Sequence, residues 1–154
     1  MKILTVRNPW AWLIIHGGKD VENRSTNIAG SYRGPIAIHA SLRDNQDSWN
    51  LFLSSRPDRA FLKSEIEKTA VYGSIIGVVD LVDVHNSHDD VAEGFSSDPG
   101  PTCSEWAMPT ERFHLVLNNP RAINPIPYRG FLGLRDIVEE DILMCIKKQL
   151  LASN

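Results

Sequence analysis

The 154-residue chain is 42% hydrophobic and 23% charged, with 16 Lys and Arg against 19 Asp and Glu and a formal charge of −3. A chain of this size buries one core and not two, so one domain over residues 1–154 is expected, and a pI near 5.9 excludes a polycationic nucleic-acid coat. The charge is uneven: residues 1–43 carry six basic and two acidic side chains, which leaves that quarter at +4 and the rest at −7. A basic face on an acidic body suits a ligand with one or a few phosphates better than long duplex DNA.

In chain order, K-I-L-T-V reads as a strand, and Asn8-Pro9 supplies a cap followed by proline at the first helical position. Trp10, Leu13, Ile14 and Gly17 recur at i, i+3, i+4 and i+7, predicting a short helix closed at Gly17-Gly18 by a left-handed cap. Asp20–Ser25 reads as extended, and P-I-A-I-H-A, after the Arg33-Gly34 break, as a compact strand. Helices are expected over Asp47–Ser54 and from Asp58 to about Ala70, then a strand over S-I-I-G-V-V-D-L-V-D-V that bends at Gly77.

The acidic stretch 86–111, rich in Ser, Pro and Gly, reads as a long loop or lid. F-H-L-V-L-N-N is a further strand, and N-P-I-P-Y-R-G-F-L-G-L, with two prolines and two glycines, fits an edge or bulged strand pair. Residues 139–151 form an amphipathic helix with acids in its first turn and lysines in its last. Five or six strands irregularly interrupted by helices predict a mixed α+β fold, a small β-barrel with helices around it.

The N-terminus has a strand pattern rather than that of a signal peptide, and no apolar run approaches about 20 residues. A soluble cytoplasmic protein without a membrane partner is expected. Cys103 and Cys145 read as buried free thiols. His16, His85, His88 and His114 have no ligand spacing, so neither a metal nor a cofactor is expected.

The densest polar chemistry is H-G-G-K-D-V-E-N-R-S, which sets Gly17, Lys19, Glu22 and Arg24 in the order G-x-K-x-x-E-x-R. Strand alternation would place Asp20, Glu22 and Arg24 on one side, with Lys19 at the corner where the helix dipole favours its charge. Lys19 and Arg24 then form a phosphate clamp oriented by Glu22, or Glu22 and Arg24 form a partly buried ion pair that holds the barrel closed. His39 and Ser41 share a face of the next strand, where His39 is either a general base toward a ribose hydroxyl or water or a histidine satisfied at a strand end. Trp10 reads as core, whereas Trp12 and Trp106 are candidates for a base-stacking wall. Arg33, beside Tyr32, is a candidate phosphate contact, and Asn118 and Asn119 either meet a base edge or close a turn.

The run L-T-V-R-N-P-W-A-W-L-I-I-H-G-G-K-D-V-E-N-R-S, followed by Y-R-G-P-I-A-I-H-A-S, resembles the ASCH domain family, the activating-signal-cointegrator homology domains, whose hallmark is G-x-K-x-x-E-x-R. With G-S-I-I-G-V-V-D-L-V-D-V, W-A-M-P-T-E-R-F-H-L-V-L and P-I-P-Y-R-G-F-L-G-L, the resemblance spans about residues 3–135. It implies a PUA-like barrel with the hallmark lining a cleft between barrel and helix. Family members are proposed to bind RNA, some are coactivator modules, and some cleave single-stranded RNA or hydrolyse acetylcytidine. The acetylcytidine amidohydrolases carry threonine where this chain has Glu22, which counts against transferring that activity.

Three classes of function follow. The first is a binder of single-stranded RNA, a nucleotide or a nucleoside. The second is a metal-independent hydrolase on the same site, a ribonuclease or an amidohydrolase, with Lys19, Glu22 and His39 as its catalytic residues and Arg24, Arg33, Tyr32, Ser41, Trp12 and Trp106 binding substrate. The third is a protein-interaction module, which predicts partner binding indifferent to Lys19→Ala.

Overall fold

A computed structural model describes residues 1–43, 45–87 and 103–152. Strand β1 (Lys2–Val6) leads through Asn8-Pro9 into helix α1 (Trp10–His16). The Asn8 side-chain oxygen accepts from the Trp12 N–H at 3.3 Å, and Gly18, rather than Gly17, takes the positive φ of 74° that turns the chain into β2 (Val21–Arg24). There follow β3 (Gly34–Ala40), α2 (Gln46–Ser55), a 3-10 turn (Pro57–Leu62), α3 (Lys63–Thr69), β4 (Ser74–Asn86), β5 (Phe113–Pro127), β6 (Leu134–Asp136) and α4 (Glu140–Ala152). The helix expected from Asp58 is therefore a 3-10 turn followed by α3. Residues 88–102 of the expected loop, His88 among them, lie outside the described residues, and 103–112 are turns and bends.

The strands form one mixed sheet in the order β2-β5-β4-β3-β1-β6, parallel only between β1 and β3. Arg24 Nη2 donates to the Thr5 carbonyl at 3.3 Å, joining the first strand of that order to the last but one, so the sheet is curled into a half-barrel. β5 runs eight residues further than the F-H-L-V-L-N-N pattern, through Pro120, Pro125 and Pro127. The reason is its neighbour: β2 pairs only with Phe113–Val116, so beyond that point β5 is an edge strand, where a missing N–H costs nothing. Asn119, with φ of 52°, sits in an irregular stretch of β5; its backbone N–H bonds to the Asn118 side chain and its own amide to Asp80, so these asparagines shape a turn of the strand.

Helix α1 fills the curl. The period predicted one buried stripe, yet Ala11–Ile15 are all buried. Ala11, Ile14 and Ile15 pack against Leu4, Ile36, Ile38 and Val79 of the sheet, while Trp12 and Leu13 pack on the opposite side against Trp49, Phe52, Ile66 and Trp106. A helix apolar on every side belongs between two layers. Gly77 permits the close approach, since a Cβ there would stand 2.6 Å from Ile15 Cδ1 and 2.8 Å from the Arg121 carbonyl oxygen.

Helix α4 covers the outer face through Ile146, against Ile3, Ala37, Ile75 and Val78. Its opposite side meets solvent and carries Cys145. Both cysteines are exposed thiols outside any disulfide, contrary to the buried thiols expected, and Lys147 and Lys148 fall short of the helix's last turn. Among the described residues no helix is long and apolar enough to cross a membrane.

Candidate functional site

Because β1 and β3 run parallel with Val6 opposite Ala40, whatever follows the two strands emerges at the same end of the sheet. Arg7 and Trp10 follow β1, and Ser41, Leu42 and Arg43 follow β3, with the Ser41 N–H donating to the Val6 carbonyl at 2.8 Å. These residues, together with Thr5, Arg24 at the end of β2, His39, Ser48 of α2 and the loop Gly130–Gly133, line a cleft of about 760 Å³. Three guanidiniums face it and, among the described residues, no carboxylate does. A second hollow of about 690 Å³, beside Lys2 and Tyr128, has Asp136 and Glu139 in its wall, so its field is mixed.

The hallmark residues form a chain of charges leading into this cleft. Lys19 has a side chain only 2% exposed, and its Nζ donates to Glu22 Oε2 at 3.1 Å and to the Val21 carbonyl. Glu22 Oε1 in turn lies 3.1 Å from Arg24 Nη2. Arg24 is the member that reaches the opening, at 28% exposure, and its buried Nε has no hydrogen-bond partner among the described residues. Burial pushes the Lys19 ammonium below lysine's usual pKa, with Glu22 pulling the other way, whereas the helix dipole alone had favoured the charge. The ion pair between Glu22 and Arg24 is thus formed, and Lys19 sits behind it rather than in the cleft. Asp20, one residue ahead of β2, does not join them: its carboxylate accepts from the Ser104 hydroxyl.

His39 is buried at the floor of the cleft. Its Nε2 lies 2.8 Å from the Tyr128 carbonyl, and since a carbonyl only accepts, Nε2 carries the proton and Nδ1 presents a lone pair. That Nδ1 is buried without a partner among the described residues. Burial holds the imidazole below its usual pKa, the Tyr128 bond opposing, so the ring is neutral at neutral pH. Gly130 brings the overlying loop close: a Cβ there would lie 3.1 Å from both His39 Cε1 and Thr5 Cγ2. The Phe131 N–H fixes the same loop to the Thr5 hydroxyl at 2.9 Å.

A family model described as the ASCH domain matches residues 4–127. The chain belongs to that family. Two crystal structures of the ASCH protein from Zymomonas mobilis share the fold: a tyrosine-to-phenylalanine variant (TM-score 0.54, 16% identity, 95% of this chain and 96% of that one) and a serine-to-alanine variant (0.50, 15%, 96% and 94%). The half-barrel with α1 in its curl is accordingly the PUA-like ASCH fold.

Within this ASCH domain the other sequence candidates are dispersed. Ser41 lines the cleft as placed. Tyr32 and Arg33 precede β3, whereas His39 and Ser41 sit at its far end; seven strand residues separate the two by about 20 Å. There Tyr32 donates to the Pro35 carbonyl, and Arg33 bonds the Gly30, Tyr32 and Val84 carbonyls and faces Asp83 at 3.6 Å.

The two tryptophans expected in the cleft wall are structural. Trp12 is buried with its Nε1–H on Thr69 Oγ1 at 3.0 Å, and Trp106 is buried beneath Arg56 and Arg59, their guanidinium carbons 4.7 and 5.7 Å from its ring. Trp10, placed in the core by its period, does pack against the core, its ring edge to face with Phe52 at 5.8 Å, and as the first residue of α1 it also lines the cleft at the strand ends. The sequence reading also missed Arg7 and Arg43. They were counted in the +4 of residues 1–43, and the parallel pairing of β1 with β3, which is not written in either strand, brings them together.

Proposed function

We propose that the cleft binds a nucleotide unit of single-stranded RNA. One observation carries the reading: two residues that line the cleft bear buried atoms without a partner among the described residues, the donor Arg24 Nε–H and the acceptor His39 Nδ1, and the guanidiniums of Arg7 and Arg43 line the same cleft. Buried polar atoms are normally paired, so these two call for an acceptor and a hydroxyl donor. A phosphate oxygen supplies the first and a ribose hydroxyl the second. Arg7 and Arg43, exposed and in no ion pair among the described residues, steer further phosphates, and Trp10 offers a ring on which a base stacks.

In this reading Lys19 and Glu22 are positioning residues that fix Arg24. Titrating labelled single-stranded RNA against the parent protein and an Arg7→Ala/Arg43→Ala double variant tests it. Each removed cation should lower the salt slope of the affinity by about one. Equal affinity and an equal slope in the double variant would sink the proposal.

A second reading, cleavage of the bound RNA, rests on the neutral His39, which has the protonation state of a general base toward a ribose hydroxyl. Incubation in chelator separates the two: turnover lost in His39→Gln while RNA is still bound supports cleavage, and intact RNA with the parent protein removes it. An amidohydrolase centred on Lys19 is less well served. The hollow that Lys19 lines holds only about 110 Å³, well below the roughly 300 Å³ at which ligand pockets begin.

A further inference from the structure

Away from the cleft, the end of the β4–β5 pair gathers three side chains of metal-ligating type. His85 and His114 stand opposite each other in the strand register, their rings 5.6 Å apart and edge to face. Cys103 brings its Sγ to 3.4 Å from His114 Nδ1. One ligand atom from each of the three lies within 4.8 Å of the other two. In the sequence they are 18 and 11 positions apart, which matches no ligand spacing; the hairpin register and the return of the chain at Cys103 create the cluster.

Both imidazoles are held from behind. His114 Nε2 lies 3.1 Å from the Met108 carbonyl, an acceptor only, so the proton is on Nε2 and the Nδ1 lone pair points toward Cys103. His85 Nδ1 lies 2.8 Å from the Asp83 carboxylate, which when ionised also only accepts, so Nε2 is the atom presented to the cluster. A carboxylate or carbonyl behind the distal ring nitrogen is the arrangement that orients metal-binding histidines and fixes their tautomer. Zinc bonds of about 2.0 Å to nitrogen and 2.3 Å to sulfur set a tetrahedral N···S edge of about 3.5 Å. The Cys103–His114 separation already has that length, and closing the widest separation asks for a shift on the order of 1 Å.

We propose that His85, Cys103 and His114 bind one zinc ion per chain, with the fourth tetrahedral position open to water or another ligand. None of the three lines the arginine cleft, so the site is separate from the one assigned to RNA. It joins the end of the β4–β5 pair to the segment that carries Trp106 and Met108, whose backbone carbonyl and N–H both bond the Asn23 side chain of β2 at 2.9 Å. Metal binding therefore fastens that clamp.

The full chain, stripped with chelator, is titrated with cobalt(II) and then zinc. The expected result is one cobalt per chain with tetrahedral ligand-field bands and a thiolate charge-transfer band, displaced by zinc, and a higher melting temperature in zinc than in chelator. Cys103→Ser should lose the charge-transfer band and weaken zinc binding about tenfold or more, with its melting temperature in chelator unchanged because Cys103 is exposed. His85→Gln, also outside the core, should weaken binding to a similar degree. Absence of saturable binding, or full binding retained in both variants, overturns the site. So does alkylation of Cys103 at equal rates in zinc and in chelator, which would leave Cys103 and His114 as a thiol–imidazole pair.

Discussion

Lys19 and Arg24 stand five residues apart in one motif and share one carboxylate, yet one is sealed in the core and the other opens on the cleft. The difference is geometric. Lys19 turns the corner below α1, where Glu22 and a backbone carbonyl take two of its three donors, whereas Arg24 lies at the end of β2, where the curl of the sheet brings it to Thr5 and the cleft. A conspicuous cationic motif thus divides into a buried support and an accessible contact. Sequence spacing alone does not distinguish the two.

Removing the shared anion breaks that comparison most strongly. Glu22→Ala leaves the Lys19 ammonium buried without its counterion and frees Arg24 from its anchor. A buried pair stripped of one partner costs about 3–5 kcal/mol, a large share of the roughly 5–15 kcal/mol that holds a domain together. Urea unfolding should show that loss as a lower midpoint at unchanged slope. A variant of parental stability that no longer binds RNA would instead make Glu22 a contact residue, and the division between support and contact would fall.

Gly77→Ala tests the support from the opposite side of α1. Its new methyl carbon meets both a side chain and the Arg121 carbonyl, and the backbone cannot step aside as a flexible side chain would. Overpacking of this kind costs about 1–3 kcal/mol. Because Gly77 does not line the cleft, RNA affinity in the folded fraction should match that of the parent. Arg43→Ala is the converse. It is exposed and in no ion pair among the described residues, so stability should stay within about 0.5 kcal/mol while RNA affinity falls and the salt slope shrinks.

These contrasts mark what was legible in the sequence. Element types follow from local pattern, so β1, β3, β4 and α4 are found where alternation or helical period predicts them. The length of β5 was hidden because its prolines are tolerable only on an edge, and the edge exists because β2, a different segment, is short. Arg24, His39 and Ser41, singled out by the hallmark and strand alternation, all line the cleft. Tyr32 and Arg33 misled because adjacency to β3 in sequence says nothing of which end of the strand carries the opening. The exchange of Trp12 for Trp10 at the cleft has the same root: a helical period identifies a buried stripe, but not that a second layer covers the other side.

The smallest expected effect concerns His39 and separates its two possible neighbours in the bound state. Its folded pKa is lowered, chiefly by burial, so the unfolded chain takes up the proton first as pH falls. The stability contributed by the neutral ring is fully present above the ordinary imidazole value of about 6.5 and is lost as pH drops through the lower folded value. His16, also lowered by burial, adds to the same acid limb, so His39→Gln should flatten it only in part. RNA binding over the same range is the sharper measurement. Protonation adds a positive charge to the cleft but converts Nδ1 from acceptor to donor. If Nδ1 accepts from a ribose hydroxyl, affinity falls on acidification despite the added charge, and His39→Gln removes that dependence. If a phosphate lies against the ring instead, affinity rises, and the assignment of the hydroxyl to His39 fails.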